Sequence, residues 1–180
     1  MAEPGTVEGL YRLHRGAILT YLIRRVEPAE DAADLLTEVF TIALRRERDI
    51  PPADEAKLWL YGVARRVLAN HRRGVVRHDN AITRLGDALR DSLANEPPVS
   101  DDVLLIRQHV AALPPDDREI LMLTAWDGLT PGEAAKVLGL KPATARARLA
   151  RARRRLTTNL KASDDKSIGQ REAPIPMRYP

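Results

Sequence analysis

The sequence predicts an all-α protein made of two small helical bundles joined by a flexible linker. Apolar residues recur every three or four positions through most of the 180 residues, which is the spacing of an amphipathic helix. No segment alternates apolar and polar residues in the way that a half-buried strand does. Proline and glycine fall between the periodic segments, where they would separate one helix from the next.

The N-terminal bundle, residues 6–78, is predicted to contain three helices. These helices span about 6–26, 29–46 and 54–73. The second begins with acidic residues and ends with Arg45 and Arg46, which suits the helix dipole, and Gly74 is a plausible end for the third. The residues predicted to form the core are Leu10, Leu13, Ala17, Ile18, Tyr21, Leu22, Leu35, Leu36, Val39, Phe40, Ala43, Leu58, Leu60, Tyr61, Ala64, Val67 and Leu68.

The second half of the chain is predicted to contain a linker, a second bundle and a tail. Residues 79–100 are predicted to be the linker, with at most a weak helix within it, because apolar residues thin out and two prolines lie near its end. Residues 101–161 form the second bundle, whose first helix can be capped by Ser100 and stopped by Pro114. Residues 162–180 are polar and contain proline, so we expect a flexible tail. That tail is either simply solvated or regulatory.

Residues 130–156 carry the pattern of a helix-turn-helix. Thr130 and Glu133 have the spacing of a capping box, in which the two side chains satisfy free amides at the start of a helix. Gly139 suits the left-handed residue that ends this short helix, and Pro142 can begin the next one. The pattern is typical of DNA-binding proteins.

The second helix of this motif is predicted to place arginines on an exposed surface. Its core stripe is Ala145, Leu149, Ala152 and Leu156. The opposite face and its flanks contain Ala143, Thr144, Arg146, Ala147, Arg148, Ala150, Arg151, Arg153, Arg154 and Arg155. Small side chains allow close approach to a surface, and arginines can reach phosphates or guanine edges, so the favoured interpretation is a helix in the major groove of duplex DNA. A solvated basic helix, or one that binds RNA or acidic lipid, is the alternative.

A second basic surface is predicted on the third helix. No acidic residue occurs between Lys57 and His78, and arginines there alternate with aromatic and amide side chains. This mixture suits a single-stranded or distorted nucleic acid, because charges follow the backbone and planar groups stack on bases. Aromatic residues at helical spacing are core residues more often than not, so a core position is the favoured interpretation of Trp59 and Tyr61, and stacking on bases is the alternative. The better candidates on the exposed face are Arg65, Arg66, Asn70 and Arg73.

The start of the second helix is acidic, with Asp34 and Glu38 one turn apart on the same face. Compensation of the helix dipole explains these residues without any partner. A basic surface on another protein is the alternative explanation.

The composition excludes several functions. The chain contains no cysteine, so disulfides and thiolate metal sites are ruled out and a reducing compartment is expected. The N-terminus lacks the pattern of a secretory signal, and no apolar stretch is long enough to span a bilayer. The four histidines are scattered, and no phosphate-binding loop or zinc-ligand spacing occurs. We therefore expect a cytoplasmic protein that needs no cofactor and is not an enzyme.

Two segments together resemble one family. AEDAADLLTEVFTIALRR followed by LWLYGVARRVLANHRR resembles region 2 of extracytoplasmic-function (ECF, group IV) sigma factors of the sigma-70 family. LPPDDREILMLTAWDGLTPGEAAKVLGLKPATARARLARARRRL resembles their region 4. The resemblance covers about residues 10–160 and implies a promoter-specificity subunit of RNA polymerase. A free-standing helix-turn-helix regulator is the alternative function.

The resemblance implies three sets of site residues. The set that would read the −35 element is Lys141, Thr144, Arg146, Ala147, Arg148, Arg151 and Arg154. The set that would read and melt the −10 element is Trp59, Arg65, Arg66, Asn70, Arg72 and Arg73. The set that would bind core polymerase is Asp34, Thr37 and Glu38.

The implied partners are promoter DNA, core RNA polymerase through its β′ clamp helices and β flap, and an anti-sigma factor, without membrane insertion. The chain departs from the common family pattern at four positions. Thr37 stands where the family commonly has glutamine, Gly62 and Arg66 replace an arginine and an asparagine, and Ala147 replaces a serine. These departures bear on the promoter sequence that is read and leave the expected fold unchanged.

Overall fold

The computed structural model describes residues 6–82 and 101–171. Over these ranges the chain forms seven α-helices and a short 3₁₀ helix, Glu47–Asp49, and no strand. The helices are α1 Val7–Ile23, α2 Asp31–Arg45, α3 Ala53–Ile82, α4 Asp101–Ala111, α5 Pro115–Ala125, α6 Pro131–Leu138 and α7 Pro142–Arg171. The chain divides into two compact units, the first containing α1–α3 and the second most of α4–α7. The predicted all-α fold is confirmed over the described residues.

The first unit is held together by an apolar core between α1, α2 and α3. Thr6 caps α1, and its hydroxyl oxygen accepts a hydrogen bond from the Gly9 amide at 3.2 Å. The best-buried core residues are Leu10, Ile18, Tyr21 and Leu22 of α1, Val39 and Ala43 of α2, and Leu60, Tyr61, Ala64 and Val67 of α3. The prediction that Leu13 belongs to this core is wrong, because its side chain is 65% exposed. A rotation of about 100° per residue places Leu13 on the opposite side of Leu10 from Ile18 and Leu22.

Two aromatic rings and two arginines close one end of this core. The Tyr21 and Tyr61 rings meet edge to face with centroids 5.3 Å apart. The buried Arg25 guanidinium stacks on the Tyr21 ring at 3.9 Å and donates to the Tyr21 carbonyl. Arg72 of α3 donates to the Arg25 carbonyl at 2.7 Å, so the turn that follows α1 is fixed directly to α3.

In the second unit, α5 packs against α7 and α4 packs beside them. The core contains Val110, Ile120, Leu123, Ala145, Leu149 and Ala152, all of which are buried. The apolar stripe predicted for α7 is therefore confirmed, with Leu156 half-buried at its end. Trp126, predicted among the apolar residues of α5, follows the helix and remains 36% exposed.

The predicted helix-turn-helix is present. The Glu133 amide donates to the Thr130 hydroxyl at 3.2 Å, and the Thr130 amide donates to the Glu133 carboxylate at 2.7 Å, which confirms the capping box. Gly139 has φ of +65°, the left-handed conformation expected where α6 ends. Pro142 begins α7, where the absence of an amide proton costs nothing.

Two predicted helix ends are wrong. Gly74 does not end α3, which continues to Ile82, so the first residues of the predicted linker are helical. The φ of Gly74 is not positive, and a single glycine costs a helix only about 1 kcal/mol. α7 extends to Arg171 into the predicted tail, and no proline interrupts the chain before Pro174. The rest of the linker, the Ser100 cap and residues 172–180 lie outside the described residues.

We expect Gly139→Ala to lower the free energy of unfolding by about 1–2 kcal/mol, because a Cβ is strained at positive φ. The matched control is Gly132→Ala inside α6, where an added Cβ meets only an ordinary contact and alanine favours the helix. Urea titration followed by Trp126 fluorescence, in a Trp59→Phe background, measures both variants. Equal stability of the two variants would contradict the role of the left-handed turn.

Candidate nucleic-acid interface

The start of α7 presents an exposed surface of small and basic side chains. Lys141, Thr144, Arg146 and Ala147 are exposed, whereas Ala145 between them is completely buried. Because Ala145 points into the core, its neighbours on the helix are turned outward. The outward face lacks large side chains near the helix axis, so a flat partner could approach the backbone closely.

The arginines of α7 from Arg146 to Arg155 fall into two sets. Arg146, Arg153 and Arg154 are exposed, and none of them pairs with a carboxylate in the part of the chain that the structure describes. Arg148 lies 3.0 Å from the Asp116 carboxylate. Arg151 and Arg155 both reach Asp117, at 3.0 and 2.5 Å. Of the arginines predicted to contact DNA, Arg148 and Arg151 are therefore engaged within the protein, while Arg146 and Arg154 face outward.

Asp117 is the residue whose role the sequence did not reveal. Its side chain is 1% exposed, although it lies in the first turn of α5 where acidic residues usually face solvent. The hydrogen bond from Arg151 lowers the pKa of Asp117 and outweighs the effect of burial, which acts in the opposite direction. The same hydrogen bond raises the pKa of Arg151. The sequence signal was the pair Asp116-Asp117 opposite an arginine-rich helix, which is visible only once α5 and α7 are known to pack together.

Burial makes the Asp117 pairs different in kind from the Asp116 pair. Removing one partner of a buried ion pair typically costs about 3–5 kcal/mol, because the remaining charge stays out of water. Exposed pairs contribute about 0.2–1 kcal/mol. The Asp116 side chain is 70% exposed and belongs to the weaker class. The Asp117 carboxylate is buried while Arg151 and Arg155 are about half exposed, so its pairs contribute between these two limits.

α3 carries the second basic surface. Arg65, Arg66, Asn70 and Arg73 are exposed as predicted, and Arg73 donates a hydrogen bond to the Asn70 side-chain oxygen. Trp59 is half-buried. Tyr61 is 1% exposed and is therefore a core residue that cannot stack on a base.

Arg72 is an exposed residue, but its guanidinium donates to the Arg25 carbonyl. Its guanidinium is therefore partly committed to the fold. The neighbouring His71 lies 3.4 Å from the Asp31 carboxylate at the start of α2. Both side chains connect α3 to the region between α1 and α2.

The exposed face of α2 contains Asp34, Thr37 and Glu38. The Thr37 hydroxyl donates to the Ala33 carbonyl at 3.1 Å, a local bond within the helix. Neither Asp34 nor Glu38 pairs with a basic side chain among residues 6–82 and 101–171. These carboxylates are available to a basic partner. Within the same ranges, no helix is both long and apolar enough to cross a membrane.

A three-helix bundle with a basic surface on α3, together with a helix-turn-helix, is typical of a DNA-binding protein with two interaction modules. The Sigma-70 region 2 family matches residues 10–78, and the Sigma-70 region 4 family matches residues 104–156. The ECF RNA polymerase sigma factor SigC of Mycobacterium tuberculosis is 34% identical over 139 residues, covering 74% of this chain and 72% of that protein. The RNA polymerase sigma factor YlaC of Bacillus subtilis is 27% identical over 169 residues, covering 91% of this chain and 96% of that protein.

This chain therefore belongs to the ECF group of the sigma-70 family, as the two sequence segments predicted. It is a sigma factor that acts with RNA polymerase in transcription initiation.

Two solved structures share the fold. The sigma factor RpoE in complex with the anti-sigma factor NepR from Bartonella quintana has a TM-score of 0.66 at 22% identity, covering 86% of this chain and 96% of that chain. CnrH in complex with the cytosolic domain of CnrY has a TM-score of 0.62 at 23% identity, covering 87% of this chain and 88% of that chain.

We expect Asp117→Asn to lower the free energy of unfolding at pH 7 by about 1–3 kcal/mol, because charge-assisted hydrogen bonds are lost. The folded-state pKa of Asp117 is depressed, so its contribution is complete above the ordinary value of 3.8 and is lost as the pH falls through the lower folded value. The difference between wild type and variant should therefore narrow as the pH falls below 3.8.

Urea titrations across this pH range, followed by Trp126 fluorescence in a Trp59→Phe background, measure the difference. Asp116→Asn is the matched control, since its exposed pair with Arg148 should contribute less than about 1 kcal/mol. A difference for Asp117→Asn that stays constant through the acid range would contradict the assignment of its stability to the ionised carboxylate.

Proposed function

We propose that α7 reads the −35 promoter element from the major groove, with Lys141, Thr144, Arg146 and Ala147 facing the bases and Arg154 facing a phosphate. The observation that carries this proposal is the exposed, acid-free face at the start of a helix that follows a capped helix and a left-handed turn. In helix-turn-helix proteins, the first turns of the second helix reach base edges, and later residues meet the backbone. Arg148 and Arg151 are held by Asp116 and Asp117 and are not included in this reading surface.

We propose that α3 reads and melts the −10 element. Arg65, Arg66 and Arg73 would follow the phosphates, Asn70 would hydrogen-bond a base, and the half-buried Trp59 would stack on an unpaired base. Arg72 would contribute at most a weaker contact, because its guanidinium is anchored to the Arg25 carbonyl.

The unpaired acidic face of α2 supports docking on core RNA polymerase. Asp34, Thr37 and Glu38 would meet the β′ clamp helices, as the family resemblance implies, and the second unit would meet the β flap. An anti-sigma factor is proposed as a further partner, since the related RpoE of Bartonella quintana was solved in complex with the anti-sigma factor NepR. The protein would act in the cytoplasm and leave all catalysis to the polymerase.

We expect Arg146→Ala to reduce promoter-dependent transcription by about 5- to 150-fold, because one bidentate contact to a base is worth about 1–3 kcal/mol. Run-off transcription with core RNA polymerase on genomic promoter fragments measures the effect. Arg107→Ala is a control of equal charge on the exposed surface of α4. Tight binding of the free protein to duplex DNA, without polymerase-dependent transcripts, would instead favour the free-standing regulator.

We expect the double variant Asp34→Ala, Glu38→Ala to weaken binding to core polymerase. The fold should stay intact, because both side chains are exposed and neither forms an ion pair within the described residues. Competition for core polymerase against the unlabelled wild-type chain measures affinity directly. Glu8→Ala, an exposed acid on α1, serves as the matched control. If the double variant bound core polymerase with wild-type affinity, the proposed docking face would be contradicted. Compensation of the helix dipole would then be the favoured explanation of Asp34 and Glu38.

A further inference from the structure

We propose that Asp117 is a positioning residue that withholds Arg151 and Arg155, on one flank of α7, from DNA, so that the arginine contacts to the promoter come from the other flank and the outer face. This inference rests on the proposed function of α7 as the −35 reading helix. It assigns opposite roles to arginines that look equivalent in the sequence.

The separation of the arginines follows from helical geometry. With about 100° of rotation per residue, Arg148, Arg151 and Arg155 fall on one flank of the buried Ala145–Ala152 stripe. Arg146 and Arg153 fall on the other flank, and Arg154 falls on the outer face. Asp116 and Asp117, adjacent in the first turn of α5, contact only the first flank.

Asp117 binds two successive turns of α7. Its Oδ1 atom accepts from Nη2 of Arg151 at 3.0 Å, and its Oδ2 atom accepts from Nε of Arg151 at 3.3 Å and from Nη1 of Arg155 at 2.5 Å. Contacts one turn apart on the same side of a helix resist rotation about its axis. The carboxylate therefore fixes the angle at which Thr144, Arg146 and Ala147 face outward.

DNA phosphates compete poorly with Asp117 for these arginines. The Asp117 side chain is 1% exposed, so transfer of Arg151 to a phosphate would leave a buried carboxylate with only one partner. The gain from a phosphate contact falls as the salt concentration rises, whereas the interaction with a buried carboxylate is screened much less. Arg151 and Arg155 are about half exposed, at 48% and 47%, so solvent can reach them. In this proposal they nevertheless stay bound to Asp117 and do not contact phosphates.

The salt dependence of binding tests this assignment, because each phosphate contact contributes about 0.9 to the slope of log affinity against log salt concentration. The measurement uses the full chain assembled with core RNA polymerase. Its probe is a fluorescent DNA duplex that carries a promoter. Arg151→Gln should leave the slope unchanged, and Arg155 still holds Asp117 in this variant. Arg154→Gln, the matched unpaired arginine, should make the slope shallower by about 0.9.

Asp117→Asn should make the salt dependence of binding steeper, the opposite of the effect expected for Arg154→Gln. Release of Arg151 and Arg155 should steepen the slope by up to about 1.8 and raise affinity for a scrambled duplex more than for the promoter. Adding Arg151→Gln and Arg155→Gln to Asp117→Asn should restore the wild-type slope. A merely structural role for Asp117 would weaken both duplexes together without steepening the slope.

The inference is overturned if Arg151→Gln makes the slope as shallow as Arg154→Gln does, or if a folded Asp117→Asn variant keeps the wild-type slope. Both results leave the proposed function standing, provided that the wild-type holoenzyme prefers the promoter to the scrambled duplex. Absence of that preference would mean that the proposed function itself has failed.

Discussion

The packing of α7 against α5 decides which side chains of the second unit can meet DNA. Ala145, Leu149 and Ala152 are buried in this contact, and Asp117 adds a buried charge that reaches Arg151 and Arg155. An apolar stripe alone would set the rotation of α7 only approximately, since alanine and leucine tolerate small shifts. Directional bonds from a carboxylate that cannot reach water define that rotation more narrowly. The reading surface proposed for α7 depends on this angle.

Much of the fold could be predicted because its signals are local. The capping box at Thr130 and Glu133, the left-handed Gly139 and the apolar stripe of α7 each depend on residues within one or two helical turns. The two helix ends that were wrong, at Gly74 and beyond residue 161, are cases in which a weak breaker competes with a continuing helix. A glycine costs too little to stop α3, and a polar sequence without proline remains compatible with a longer α7.

The candidate sites were predictable as sets of residues but not as individual roles. Sequence spacing correctly placed Arg65, Arg66 and Asn70 on an exposed face of α3. It could not distinguish Arg72, whose partner is the carbonyl of Arg25, 47 positions away in sequence. In the same way, Arg151 looks like Arg154 until the fold brings Asp117 beside it. Arginine has a long side chain with five donors, so its role is decided by tertiary contacts that no periodicity reports.

The contacts of Arg72 and His71 couple α3 mechanically to the segment between α1 and α2. Arg72 binds the Arg25 carbonyl just after α1, and His71 lies beside Asp31 at the start of α2. A load applied to α3 would thus pass into the start of α2 through His71 and into the end of α1 through Arg72, as well as through the apolar core. The acidic face of α2 begins one turn beyond Asp31, at Asp34. With the proposed roles of α3 on DNA and of α2 on the polymerase, tension from an opening promoter would reach the polymerase through these contacts.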